Sequence, residues 1–185
     1  MPAIRQPVIR ATRTELRDGT SIIIRPVRPD DARHAGAFFD WLSDETKYTR
    51  FMYQAKELTP EILAGALTQD GLKRVVLVAE PVDQRSEDPT PVVALGRYAP
   101  TSDPVTCEVA LTVGDTWQGH GLGAALLARL IALATRGGYQ AMCATALTTN
   151  TKMLRLARAF GFEIRADSGG VTTLEKALTR IPRPR

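Results

Sequence analysis

Apolar positions along the chain switch between two periods, and the switches divide it into elements. TELRDGTSIIIRPV, from Thr14, holds two short runs about Asp18-Gly19, and the second is rich in the β-branched Ile22, Ile23 and Ile24. That pattern predicts an opening β-hairpin. Beyond Pro29, residues Ala32, Ala35, Phe38, Phe39 and Leu42 recur at helical spacing, with Asp30 or Asp31 placed to cap the helix. SDETKYTRFMY is a shorter helical segment, and Thr59-Pro60 puts a cap and a first-turn proline ahead of EILAGAL. VVLVAE and VVALGRY then predict antiparallel strands joined by VDQRSEDPTP, a connection of acids, serine and proline. From Val105 to Val113 the odd positions Cys107, Val109, Leu111 and Val113 are apolar. The even ones are Thr106, Glu108, Ala110 and Thr112, so this strand has one core face and one polar face.

Beyond Val113 the pattern predicts helix, strand, helix. In WQGHGLGAALLARL, from Trp117, three glycines occupy alternate positions, and Leu122, Leu126, Leu130 and Leu133 then repeat at helical spacing until Gly137-Gly138. YQAMCATAL is the next strand, a helix runs from about Thr149 to Phe160 and closes on Gly161, and FEIRA with VTTLEKAL forms a last hairpin across Ser168-Gly169-Gly170. These elements make one domain over residues 14 to 178. Residues 1 to 13 and 179 to 185, rich in Arg and Pro, read as flexible ends.

The glycine turn is the first feature that suggests chemistry. A helix N-terminus leaves its first amides unpaired and carries partial positive charge, so it suits an anion and above all a phosphate. Gly119, Gly121 and Ala124 satisfy the dinucleotide pattern G-x-G-x-x-G/A. That pattern needs an acidic residue about 20 positions onward, yet Thr116 to Phe162 contains no Asp or Glu, only the basic Arg129, Arg136, Lys152, Arg155 and Arg158 besides His120. Four strands also precede the strand that leads into the turn, where a dinucleotide fingerprint stands near the start of its domain. A Walker-type loop fails as well, because Gly123 is followed by Ala124-Ala125 and not by Lys and Ser or Thr. Two readings stay open. One is a turn whose glycines serve chain reversal alone. The other is a pyrophosphate held by the amides of Gln118, Gly119, His120, Gly121, Leu122 and Gly123, with Lys152, Arg155 and Arg158 for further phosphates unless they form an ordinary solvated face. Coenzyme A has that inventory of phosphates.

Composition narrows the setting without changing it. The 185 residues are 44% hydrophobic and 24% charged, as in a globular domain with a real core. A net charge of +4 falls far short of a nucleic-acid-binding extreme, so no nucleic-acid partner is expected. Cys107 and Cys143 lie in apolar strands without ligand spacing, which predicts reduced thiols and no metal site. The apolar run from Ala124 to Ala134 is too short to span a bilayer, and the N-terminus has no apolar signal core. A cytoplasmic protein with no membrane partner is expected, as a monomer or a homodimer.

Gln118-x-x-Gly121-x-Gly123, preceded by a strand and followed by a helix, resembles the Q/R-x-x-G-x-G/A signature of GNAT N-acetyltransferases. Asn150 and Ala159-Phe160-Gly161-Phe162 match as well, and LRDGTSIIIRPVRPDD with LSDETKYTRFM is similar to the acetyltransferase domain of bacterial protein-lysine acetyltransferases of the Pat type. The resemblance covers about Thr14 to Leu178. It implies an α/β (α+β) fold with a mixed, mostly antiparallel sheet flanked by helices, splayed between two central parallel strands with acetyl-CoA in the gap. It further implies that backbone groups of Leu111, Thr112 and Val113 bind the pantetheine and that Asn150 lies near the reacting end; of the three helix cations, Arg155 is the one expected at the cofactor. Such domains are often fused to a large acyl-CoA-synthetase-like region, and this chain would be the catalytic module standing alone.

Acyl transfer to lysine needs a base, because an ammonium of pKa about 10.4 leaves only roughly one amine in a few thousand unprotonated at neutral pH. Glu108, on the polar strand face and at the position that resembles the catalytic glutamate of Pat-like enzymes, is the expected base; the plain alternative is a solvated or ion-paired glutamate. Many GNAT enzymes carry a tyrosine as general acid where this chain has Ala157. His34 and His120 are not expected to be catalytic, and Tyr48, Tyr53, Tyr98 and Tyr139 have no assigned role. The expected function is acetyl transfer from acetyl-CoA to an amine, a protein lysine above all. Acetylation of a small-molecule amine and a non-catalytic CoA-sensing module are the alternatives.

Overall fold

The structure, a computed structural model, describes residues 9 to 52, 59 to 83, 90 to 166 and 169 to 178. Tyr53, Ser168, residues 1 to 8 and the tail from 179 to 185 lie outside the described residues. Eight strands form one sheet. In chain order they are β1 (Thr12–Glu15), β2 (Ser21–Pro26), β3 (Val75–Pro81), β4 (Ala94–Pro100), β5 (Thr106–Val113), β6 (Ala141–Leu147), β7 (Glu163–Ala166) and β8 (Val171–Ala177). The helices are α1 (Asp31–Trp41), α2 (Asp44–Phe51), α3 (Pro60–Leu67), α4 (Leu122–Arg136) and α5 (Thr151–Ala159). β1 begins inside the segment expected as a flexible N-terminal end, and Ile9 packs on the core.

The sheet order is β1-β2-β3-β4-β5-β6-β8-β7, and every neighbouring pair is antiparallel except β5 and β6. β5, the glycine turn, α4 and β6 form the crossover that this parallel pair requires. The closing hairpin places β8 beside β6 and leaves β7 at the edge.

α4 holds the sheet from one side. Leu122, Leu126, Leu127, Leu130 and Leu133 are buried against β3, β4 and β5, and Ala157 of α5 joins the same core. A side chain at Gly96 would bring a Cβ to 3.0 Å from Leu130 Cδ1, so the bare backbone there lets α4 approach closely. The opposite face is covered over one end by α1, whose Phe38 and Phe39 pack with Leu42, Val78 and Val92.

Capping follows the sequence at two of these helices. Ser43 accepts from the Thr46 amide (3.2 Å) and Thr59 from the Ile62 amide (3.4 Å). α1 differs. Asp30 makes no side-chain cap, and Asp31 is the first helical residue with its carboxylate turned to other work. It takes two hydrogen bonds from the buried Arg25 guanidinium (2.6 and 2.7 Å) and one from the Arg28 amide (2.6 Å), while Arg25 also pairs with Glu80 of β3. A buried guanidinium needs carboxylate partners more than a helix needs a cap, and that decides the conflict. Cys107 and Cys143 are free thiols, and burial pushes Cys107 up to about 12.

Burial alone would raise the Asp31 pKa, but the hydrogen bonds from Arg25 and Arg28 outweigh it and hold the carboxyl below its ordinary 3.8. The stabilisation is therefore present above the unfolded value and is lost as pH falls through the folded one. Asp31→Ala, which leaves Glu80 and the Pro26 carbonyl as the partners of Arg25, is expected to cost about 3 to 5 kcal/mol in urea unfolding at neutral pH. Asp31→Asn should give a stability curve flatter than wild type below about pH 5.

Candidate functional site

The parallel ladder between β5 and β6 is short. It joins Thr106 to Ala141, Cys107 to Met142 and Glu108 to Cys143, and then stops. β5 runs on to Val113 still paired with β4, and β6 runs on to Leu147 still paired with β8. The two strands therefore part beyond Glu108, and the facing edges of residues 109 to 113 and 144 to 147 lack a strand partner in each other. Backbone amides and carbonyls must find partners, so such a fork is a ready site for an extended ligand with amides of its own.

The glycine turn closes the wide end of the fork. A short 3-10 turn, Asp115–Trp117, buries Trp117 in the core. Gly119 and Gly121 adopt φ of +85° and +96°, a region that L side chains rarely enter, so these two glycines are conformationally required. Gly123 has no such φ, and a Cβ there would meet Leu156, Val113 and Leu111 at ordinary contact distances of 3.6 to 3.8 Å. Gly121 is the N-cap of α4, with no side-chain cap and no acid in the first turn. The first backbone bond of the helix is Ala125 N to Gly121 O (3.0 Å), so the amides of Leu122, Gly123 and Ala124 have no intrahelical acceptor.

Gln118 is tied on three sides. Its Nε2 donates to the Val113 carbonyl (3.1 Å) at the end of β5 and to Thr46 Oγ1 (3.2 Å) on α2, and its Oε1 accepts from Lys152 Nζ (2.7 Å) on α5. One edge carbonyl expected to face the pantetheine is thus engaged by the turn itself. Asp115 anchors the same region to α2, accepting from Ser43 N (2.9 Å), Ser43 Oγ (2.6 Å) and Thr46 Oγ1 (2.7 Å). Its partial burial would raise its pKa, but these donors prevail and hold it below the ordinary carboxylate value. α2 in turn packs against β5 and β6, over the fork.

At the narrow end Glu108 occupies the last paired position, exposed and, among the described residues, without an ion pair. It shares its sheet face with Cys143 and, one strand further, Glu175. Burial, then the Glu108 and Glu175 carboxylates, push the Cys143 thiol up. Arg165 of β7 lies 3.5 Å from Glu175 and 3.6 Å from Glu163. Asn150 caps α5, its Oδ1 accepting from the Met153 amide (3.0 Å). Arg155 and Arg158 are exposed, and of the three α5 cations only Lys152 has a hydrogen bond to the turn. Ala157 is buried, and the hydroxyls of Tyr98 and Tyr139 donate to the carbonyls of Leu72 and Lys73 (2.9 Å each).

Sequence reasoning missed two contacts here. The His120 side chain has a structural partner that the sequence does not announce: its Nδ1 lies 2.9 Å from Asp18 Oδ2, and the His120 carbonyl accepts from the Arg17 amide (3.1 Å). The β1–β2 turn is thereby docked on the glycine turn, with the Arg17 side chain against Gly121. The only trace in the sequence was the Asp18-Gly19 turn itself. No helix among the described residues is long and apolar enough to cross a membrane, and no group of metal-ligating side chains forms there.

Residues 21 to 163 match the family described as acetyltransferase (GNAT) domain. The chain is 34% identical over 150 residues to an acetyltransferase of Pseudomonas aeruginosa, covering 80% of this chain and 77% of that protein. It is 32% identical over 161 residues to the acetyltransferase Pat of Mycolicibacterium smegmatis, covering 86% of this chain but only 46% of that longer protein. Among solved structures, the crystal structure of the GNAT domain of S. lividans PAT superposes with a TM-score of 0.79 at 29% identity, over 91% of this chain and 97% of that one.

Asp115→Ala removes three bonds that seat α2 on the turn. Amide hydrogen exchange in α2 is expected to quicken by about tenfold while β3 and β4 stay protected.

Proposed function

Because the chain belongs to the GNAT acetyltransferase family, we propose that it transfers the acetyl group of acetyl-CoA to an amine, a lysine side chain of a protein, with Glu108 accepting the amine's proton. The observation that carries this reading is the position of Glu108 at the last rung before β5 and β6 part. An acyl-pantetheine arm laid between the strand edges, its diphosphate at the amides beyond Gly121, would bring its thioester end toward that rung. The Pat relative, at 32% identity, and the resemblance to protein-lysine acetyltransferases support lysine as the acceptor. Glu108 itself is exposed and, among the described residues, without an ion pair, so its carboxylate is free to attract an ammonium, whereas Glu175 and Glu163 face Arg165.

The chemistry is direct. Glu108 takes one proton from the lysine ammonium, the freed nitrogen attacks the thioester carbonyl, and as the carbon–sulfur bond breaks the nitrogen's surplus proton passes to the departing thiolate, leaving the amide and the free thiol. Edge amides of β5 donate to the oxyanion that develops. The thiolate, whose parent pKa is about 8.5, leaves without a strong acid, so a buried alanine at position 157 is compatible with turnover. Cytoplasmic proteins with exposed lysines are the acceptors this reading calls for.

The test is mass spectrometry of candidate acceptor proteins, and of small amines in parallel, after incubation with acetyl-CoA and either wild type or Glu108→Gln. Wild type is expected to acetylate lysines, and the variant to lose about 10²- to 10⁴-fold in rate near neutral pH. That deficit should shrink as pH rises toward the lysine pKa, because the amine then arrives already deprotonated. Turnover of small amines alone overturns the lysine assignment. Acetyl-CoA binding with no transfer to any acceptor would leave a sensing module, and an undiminished variant rate removes Glu108 as the base.

A further inference from the structure

Besides Lys152 of α5, a cation from the far side of the chain lies against the glycine turn. Arg17 sits in the β1–β2 turn, which several contacts hold in place: Leu16 is buried in the core, Leu16 N donates to Thr20 O (2.9 Å), Arg17 N donates to His120 O (3.1 Å), and Asp18 pairs with His120 Nδ1. The stem of Arg17 then runs past Gly121. A Cβ on that glycine would lie 3.6 Å from Arg17 Cγ and 3.7 Å from its Nε. Arg17 is exposed and, among the described residues, its side chain has no carboxylate or carbonyl partner. Asp18, the neighbouring acid, is committed to the Thr20 amide and to His120.

We propose that Arg17 binds the diphosphate of the coenzyme A donor, closing on it from the side of the turn opposite Lys152. The proposal rests on the acetyl-CoA reading above and deepens it. Gly121 is the N-cap of α4, so an anion received by the amides of Leu122 and Gly123 stands beside the guanidinium whose stem covers that cap. A planar guanidinium binds two phosphate oxygens at once, and its anchored base lowers the freedom lost on binding. Lys152 reaches the other end of the turn through Gln118. The absence of acids from Thr116 to Phe162 leaves this cation uncontested by the turn and its helix.

The test compares wild type, Arg17→Ala and Arg17→Lys by calorimetric binding of acetyl-CoA and of acetyl-dephospho-CoA, and by kcat/KM with acetyl-CoA and with acetyl-pantetheine, which has no diphosphate. Arg17→Ala is expected to weaken both coenzymes by about tenfold at low salt, with Arg17→Lys between it and wild type. The variant should match wild type on acetyl-pantetheine, a result that a merely structural role would not give. Equal affinities for acetyl-CoA in wild type and Arg17→Ala overturn the proposal. So does an equal loss on acetyl-pantetheine, and so does a penalty that vanishes with acetyl-dephospho-CoA, which would move Arg17 to the 3′-phosphate. Failure of the donor reading is separate, since wild type itself would then bind neither coenzyme.

Discussion

The site depends on a ladder that ends early. Three paired positions join β5 to β6, and beyond Glu108 each strand keeps its outer neighbour while losing the other. A sheet interior without pairing is costly unless something else meets the backbone groups. Here α4 packs across β3, β4 and β5 on one face, and Gln118 satisfies the last β5 carbonyl from the turn. The fork is held open by packing at its sides and by a hydrogen-bonded closure at its mouth.

The two ends of the fork have opposite electrostatics, and each arises from local chemistry. At the mouth, an uncapped helix N-terminus and two left-handed glycines stand with Arg17 against Gly121 and Lys152 bonded to Gln118, which gathers donors and cations there. At the narrow end, Glu108 and Glu175 flank Cys143 on an exposed sheet face. In the proposed function the anionic end of the donor is held at the mouth, and its thioester end meets the amine at the narrow end. α2 spans the two, seated by Asp115 and by Gln118 through Thr46.

Much of this was legible along the chain because it is local. Apolar alternation marked β5 and left Glu108 on its polar face, helical spacing marked α4, and the glycines announced the turn. What was not legible depends on partners distant in sequence. The register at which β5 and β6 part is decided by packing against other strands, and no residue of either strand signals it. Asp31 offered a cap by its position, but a guanidinium six residues upstream claimed the carboxylate. Gln118 stood in a recognisable signature, yet its bonds run to Thr46, Val113 and Lys152. The docking of Asp18 on His120 joins residues distant along the chain, and it brings Arg17 to the site.

Central to the proposed function is that acetyl-CoA lies in the fork, from the glycine turn to Glu108. Amide hydrogen exchange with and without acetyl-CoA tests it most directly. Slowed exchange is predicted in residues 119 to 124 and along residues 109 to 113 of β5, with the β1 and β7 edges unchanged. Protection confined to other surfaces, or none at saturating acetyl-CoA, would contradict it.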